Sequence, residues 1–204
     1  MGKAEENKLQ KRESLLNTAF NLFTTKGLHN TSISDIVEQA GVAKGTFYLY
    51  FKDKYDINNK LVIHRATRLF DEAYTRMKKA EIVGYRERLL FVIDDIIDAL
   101  IKDKVLLMFI SKNLGLGFTR YAMERNSLTE DTPIREATES LLADIGDDIS
   151  EPRLMMYMII ELVGSSIYSA ILYEQPVSID VLKPHLYKTI NGIIDQFEVK
   201  KAID

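Results

Sequence analysis

The chain has 204 residues, of which 46% are hydrophobic, enough to bury a core in one compact unit or two small domains. It holds no cysteine, which excludes a disulfide framework and any thiolate metal site. Charge is divided unevenly: residues 1–54 carry eight Lys or Arg against six Asp or Glu, a balance of +2, so a formal net charge of −3 leaves −5 on residues 55–204. An acidic body with a basic head directs a polyanion to the N-terminal end.

The opening stretch, MGKAEENKLQKRESLL, is charged and lacks an apolar run of signal-peptide length, so the expectation is a cytoplasmic protein. Apolar pairs at Leu15/Leu16, Ala19/Phe20 and Leu22/Phe23 give a wide helical stripe from Lys8 to Lys26, ended by Gly27. A second helix start follows at Ser32-x-x-Asp35, where the hydroxyl caps backbone N–H groups and the carboxylate reaches back. Ile33, Ile36, Val37 and Ala40 supply its apolar face, and Gly41 allows the left-handed backbone of a sharp turn. A short third helix starts at Ala43 or Lys44. Phe47 and Phe51, four apart, share its inner face. Lys44, Gly45 and Tyr48 form the neighbouring stripe, which is cationic and aromatic. Lys44 can reach a phosphate or a guanine edge, and Thr46, Tyr48 and Tyr50 offer hydroxyls to phosphate oxygens. The plainer alternative is a helical corner that merely packs. It suits Phe47 and Phe51 but not Tyr48 and Tyr50, whose hydroxyls would need buried partners.

The string Thr31, Ile36, Ala40-Gly41-Val42, Gly45, Tyr48-x-Tyr50-Phe51 and Lys54, preceded by Ala19, Phe20, Phe23 and Lys26-Gly27, resembles the TetR family of bacterial regulators. The resemblance covers the first quarter of the chain strongly. It implies an all-α fold: a three-helix, helix-turn-helix DNA-binding domain over residues 1–54, then a helical ligand-binding and dimerisation domain over 55–204. It also implies DNA contacts by Thr31, Lys44, Gly45, Thr46, Tyr48, Tyr50 and Lys54. Ala43 departs from the family pattern, which often has Ser there; losing such a cap costs about 1 kcal/mol. Leu49 offers an apolar contact at an exposed position.

Beyond the motif the pattern predicts helices over Lys54 to Lys79, Arg86 to Lys102 after a break at Gly84, and Lys104 to Lys112. Gly115 and Gly117 then open a loop, with helical character around Phe118 to Arg125; a turn-rich segment covers Ser127 to Pro133, and a helix covers Ile134 to Ile149. From Pro152 to Glu174 the chain is apolar on every side. Glu161 in its middle and the lack of a second span argue against membrane insertion. Ile179 to Phe197 supplies an antiparallel neighbour, and two such helices from each of two subunits can close a four-helix bundle. The resemblance implies a homodimer of this kind on a palindromic operator in double-stranded DNA, with half-sites roughly 34 Å apart.

By the same resemblance an unknown small-molecule effector binds among the central helices. Met108, Phe109, Phe118, Tyr121, Met155, Met158 and Glu161 are the candidate lining, since thioethers and aromatics suit varied apolar ligands; the alternative is that they form ordinary core. An enzyme is not expected, and neither a cofactor nor a metal. His29, His64 and His185 are scattered, and Asp94/Asp98 and Asp144/Asp147/Asp148 suit solvated faces. Gly115-Leu116-Gly117 lacks the third glycine of a dinucleotide loop. The expected function is a ligand-responsive transcriptional repressor released from its operator by a small molecule. The alternatives are a DNA-bound recruitment protein without an inducer and, more weakly supported, a helical enzyme with a DNA-binding head.

Overall fold

The computed structural model of the protein describes residues 2–111 and 148–199. Among them every regular element is helical, apart from an isolated antiparallel bridge between Ile149 and Glu198. The chain folds into two compact units, Met1–His64 and Arg65–Asp204, and the division falls inside a helix. The expected domain boundary at 54/55 lies earlier, at the first turn of that helix.

The first unit contains α1 (Lys3–Thr25), α2 (Ile33–Ala40), α3 (Lys44–Tyr50) and the opening turns of α4 (Lys54–Lys79). α1 begins upstream of the expected Lys8 because the Glu5 carboxylate turns back to accept from the Gly2 N–H at 3.4 Å, a local cap that needs no apolar stripe. Leu15, Leu16, Ala19, Leu22 and Phe23 of α1 are buried, as are Ile36 and Val37 of α2, Phe47 of α3, and Phe51, Ile57 and Leu61 beyond it. Each large side chain so buried contributes roughly 1.5–3 kcal/mol. Ile57 and Leu61, both fully buried, carry the unit past residue 54.

The second unit holds the remainder of α4, α5 (Tyr85–Lys102), α6 (104–111), α7 (Pro152–Tyr173) and α8 (Ile179–Phe197). Gly84, at φ 92°, lets the chain turn into α5. One core cluster gathers Met77 of α4, Leu89, Val92, Ile93 and Ile97 of α5, Met155, Ile159 and Ile167 of α7, and Leu186, Ile190 and Ile194 of α8. α5 and α8 are also joined by polar contacts that run in opposite senses. Arg86 donates to Asn191 and Glu198 and pairs with Asp195, while Lys183 reaches Asp94 at 2.7 Å and Asp98 at 2.5 Å. Tyr187 donates to Asp94 as well.

By length and composition α7 could cross a membrane, with a mean hydropathy of 1.6 over its most apolar stretch. It instead shares the core cluster, with Glu161 exposed on it. Leu154, Met158 and Tyr173 of α7 and Val181 of α8 are left facing solvent in the single chain. The loop, the helical stretch and the turn expected over 113–133 lie outside the described residues, as does the helix expected from Ile134 except at its end. There Ile149 is bridged rather than helical: Ser150 N–H donates to the Phe197 carbonyl and Val199 N–H to that of Asp148, each at 2.9 Å.

Candidate DNA interface

α2 starts at a complete capping box. The Asp35 N–H donates to Ser32 Oγ at 3.1 Å, and the Ser32 N–H donates to Asp35 Oδ2 at 2.9 Å. That backbone hydrogen bond, followed by one with the Ser32 side chain, holds the Asp35 carboxyl below its usual range. Gly41 ends α2 at φ 67°, ψ 32°, and the Val42 N–H then returns to the Val37 carbonyl at 3.0 Å. Ser14 Oγ of α1 ties the same corner by donating to the Ala40 carbonyl at 3.2 Å. The reversal that aims α3 is therefore fixed by a left-handed glycine and the hydrogen bonds around it.

α3 buries Phe47 completely and packs it on Phe51, ring centroids 5.5 Å apart. Its other side is open. Lys44 and Gly45 are exposed, Tyr48 is 54% exposed and Leu49 79%, while Thr46 is half-buried. Ala43 occupies the N-cap position in an extended conformation and gives no side-chain hydrogen bond, so the first N–H groups of α3 get no help from that residue. A seven-residue helix with this face is short enough to lie in a major groove and carries one cation, one phenol and one aliphatic tip.

Three sequence-derived residues have their polar atoms engaged within the unit. Thr31 is 1% exposed, and its hydroxyl donates to the Gly27 carbonyl at 2.8 Å. Lys54 Nζ donates to the carbonyls of Leu28, His29 and Thr31 at 3.1, 3.0 and 3.2 Å. Tyr50 is half-buried, and its hydroxyl donates to the Lys8 carbonyl at 3.1 Å. A phosphate oxygen only accepts hydrogen bonds, so a phenol whose proton is already committed has none left to give it. Behind them, Lys60 Nζ donates to the Tyr50 carbonyl and to Asp56, which also accepts from the Lys52 N–H. Lys60 and Asp56, absent from the sequence reading, brace the end of α3; their i, i+4 spacing on α4 was the available signal.

The ligand candidates scatter over the second unit. Met155 and Phe109 are buried, Met108 and Met158 are 37% and 39% exposed, and Glu161 is exposed; Phe118 and Tyr121 lie outside the described residues. An open groove of about 400 Å³ is bounded by Tyr74, Met77, Lys78, Glu81, Ile82, Val83 and Arg88, none of them a candidate. Among the described residues no group of three or more His, Cys, Asp or Glu side chains gathers to hold a metal.

Residues 15–60 match the family model for bacterial regulatory proteins, tetR family. The HTH-type transcriptional regulator YvdT of Bacillus subtilis is 40% identical over 67 residues, 33% of this chain and 34% of that protein. The chain spans about a third to a half of the length of the first curated relatives it matches. Similarity in fold extends much further. The fatty acid degradation regulator FadR of Bacillus halodurans is alike over 88% of this chain and 97% of its own, with a TM-score of 0.58 and 22% identity. FadR of Bacillus subtilis, solved in complex with stearoyl-CoA, is alike over 87% and 96%, with a TM-score of 0.53 and 22% identity. At that level of identity the likeness concerns fold, and it joins the sequence match over the helix-turn-helix. Residues 15–60 thus carry the helix-turn-helix of the tetR family of bacterial regulatory proteins, and the chain has the fold of TetR-family transcriptional regulators.

Proposed function

We propose that the protein is a homodimeric, cytoplasmic repressor that reads a palindromic operator with α3 and leaves it when a small molecule binds the second unit. The observation that carries this reading is the division of α3 into two sides. Phe47 is buried while Lys44, Gly45, Tyr48 and Leu49 face solvent together, an arrangement that serves a groove better than a core. Dimerisation through α7 and α8 is supported by the apolar side chains they leave uncovered, since less than half of the most apolar stretch of α7 is buried within one chain. A ligand-taking body is supported by the fold shared with a regulator solved with stearoyl-CoA. Its lining is proposed among Met108, Phe109, Phe118, Tyr121, Met155, Met158 and Glu161.

The DNA contacts proposed are Lys44, Gly45, Thr46 and Tyr48. Thr31, Tyr50 and Lys54 are assigned to shaping the loop and the helix ends that present them. Joint substitution Lys44→Ala and Tyr48→Ala should abolish sequence-selective DNA binding while the chain stays folded and dimeric. Retained selectivity would remove α3 from the interface. Linkage requires that any effector stabilising the free protein also weakens operator affinity by the same coupling energy. A compound that raises thermal stability and leaves operator affinity unchanged does not act as an inducer, and an absence of inducers across compound classes would favour the recruitment reading.

A further inference from the structure

We propose that the second and third turns of α1 form a second contact strip on DNA, in which Lys8, Lys11 and Arg12 bind phosphate oxygens of the same duplex that α3 reads. The inference rests on the reading of α3 as a DNA-binding helix and extends it to a different element.

Helical spacing places Lys8, Lys11 and Arg12 on one face, in line with Leu15 and Ala19 further along α1. Leu15 and Ala19 are fully buried in the first unit, so the three cations continue the packed face of α1 beyond the end of that core. Lys8 and Lys11 are exposed and Arg12 is half-buried. What fixes their position is the Tyr50 hydroxyl, which closes on the Lys8 carbonyl at 3.1 Å and joins the last residue of α3 to the strip. Tyr48, on the open side of α3, is two residues from that tether.

Two nearby carboxylates, those of Glu5 and Glu13, have partners of their own. Among the described residues, Lys8, Lys11 and Arg12 enter no ion pair. The Glu13 carboxylate meets His64 at 3.3 Å, and Glu5 serves the Gly2 N–H. A duplex lying against α3 presents a row of phosphates. Such contacts position the protein without reading sequence.

The test uses the full-length purified protein and two short duplexes, one of random sequence and one enriched from a random pool by the wild-type protein. Affinities are measured from about 50 to 200 mM salt. Lys8→Ala/Lys11→Ala/Arg12→Ala should flatten the slope of log affinity against log salt by about 0.9 for each phosphate no longer neutralised, weakening both duplexes by a similar factor. Circular dichroism reports whether this variant folds, and the single Lys8→Gln variant, expected to give up one phosphate, repeats the test if it does not. Lys102→Ala/Lys104→Ala, exposed cations of the second unit, should leave the slope unchanged. A wild-type slope in the triple variant, or an equal flattening in the control, overturns the strip. Failure of the wild type to bind either duplex instead overturns the reading of α3.

Discussion

Lys54, the first residue of α4, donates from Nζ to the main-chain oxygen of Thr31, the residue just ahead of the α2 cap, at 3.2 Å. The same ammonium takes the carbonyls of Leu28 and His29, so the start of one helix closes the loop that launches another. Such charge-assisted bonds are stronger than neutral ones. Lys54→Met should therefore cost about 1.5–3 kcal/mol in urea unfolding, with DNA affinity falling alongside. A variant as stable as the wild type would show that these three hydrogen bonds carry no weight.

Ala43 stands at the N-cap of α3 with φ −69° and ψ 147°, a backbone already suited to a capping hydroxyl. Ala43→Ser should raise stability by about 1 kcal/mol. The expected trace is a higher urea midpoint with an unchanged slope. Loss of stability would mean that the first N–H groups of α3 are satisfied by another route.

Gly41 sits at φ 67°, and a Cβ added there would meet nothing within 4 Å. Gly41→Ala therefore isolates the backbone cost, about 1–2 kcal/mol for an L-residue in the left-handed region. Gly41→Asn should cost less, because asparagine tolerates that region better. Equal destabilisation by the two, measured by thermal or urea unfolding, would point to packing instead.

What could be read in advance was what depends on near neighbours. The Ser32/Asp35 box and the Gly41 stop are three- to five-residue devices, and α8 begins where Pro176 and Ser178 precede its apolar period. Side-chain direction was not legible where its partner is distant in sequence. Resemblance puts Thr31, Tyr50 and Lys54 at the DNA, yet their polar atoms meet Gly27, Lys8 and Leu28, and the last two partnerships span 42 and 26 positions. α7 shows a different limit: Met155 is buried and Met158 exposed, but a helix apolar all round carries no periodic mark of its inner side.

Asp94 gives the α5–α8 seam a pH dependence. Burial opposes its ionisation, but hydrogen bonds from Lys183 and Tyr187 outweigh that and hold its carboxyl below the usual range. A depressed carboxylate stabilises the fold above its unfolded pKa, about 3.9, and loses that contribution as pH falls through the folded value. Asp94→Asn should thus be less stable than wild type at neutral pH, with the gap closing below about pH 4. The Asp94 side chain is 47% exposed, so solvent screening limits the gap to about 1 kcal/mol or less. A gap that persists at acid pH would assign the destabilisation to packing.

Central to the proposed function is α3 entering a duplex groove twice, once from each of two paired chains. The most direct test is selection of binding sites from a random duplex pool by the purified protein, with the oligomeric state measured in the same buffer. The result predicted is a dimer that enriches an inverted repeat whose half-sites lie about 10 base pairs, or a multiple of that, centre to centre. A monomer, or a pool from which no repeat emerges, would contradict it.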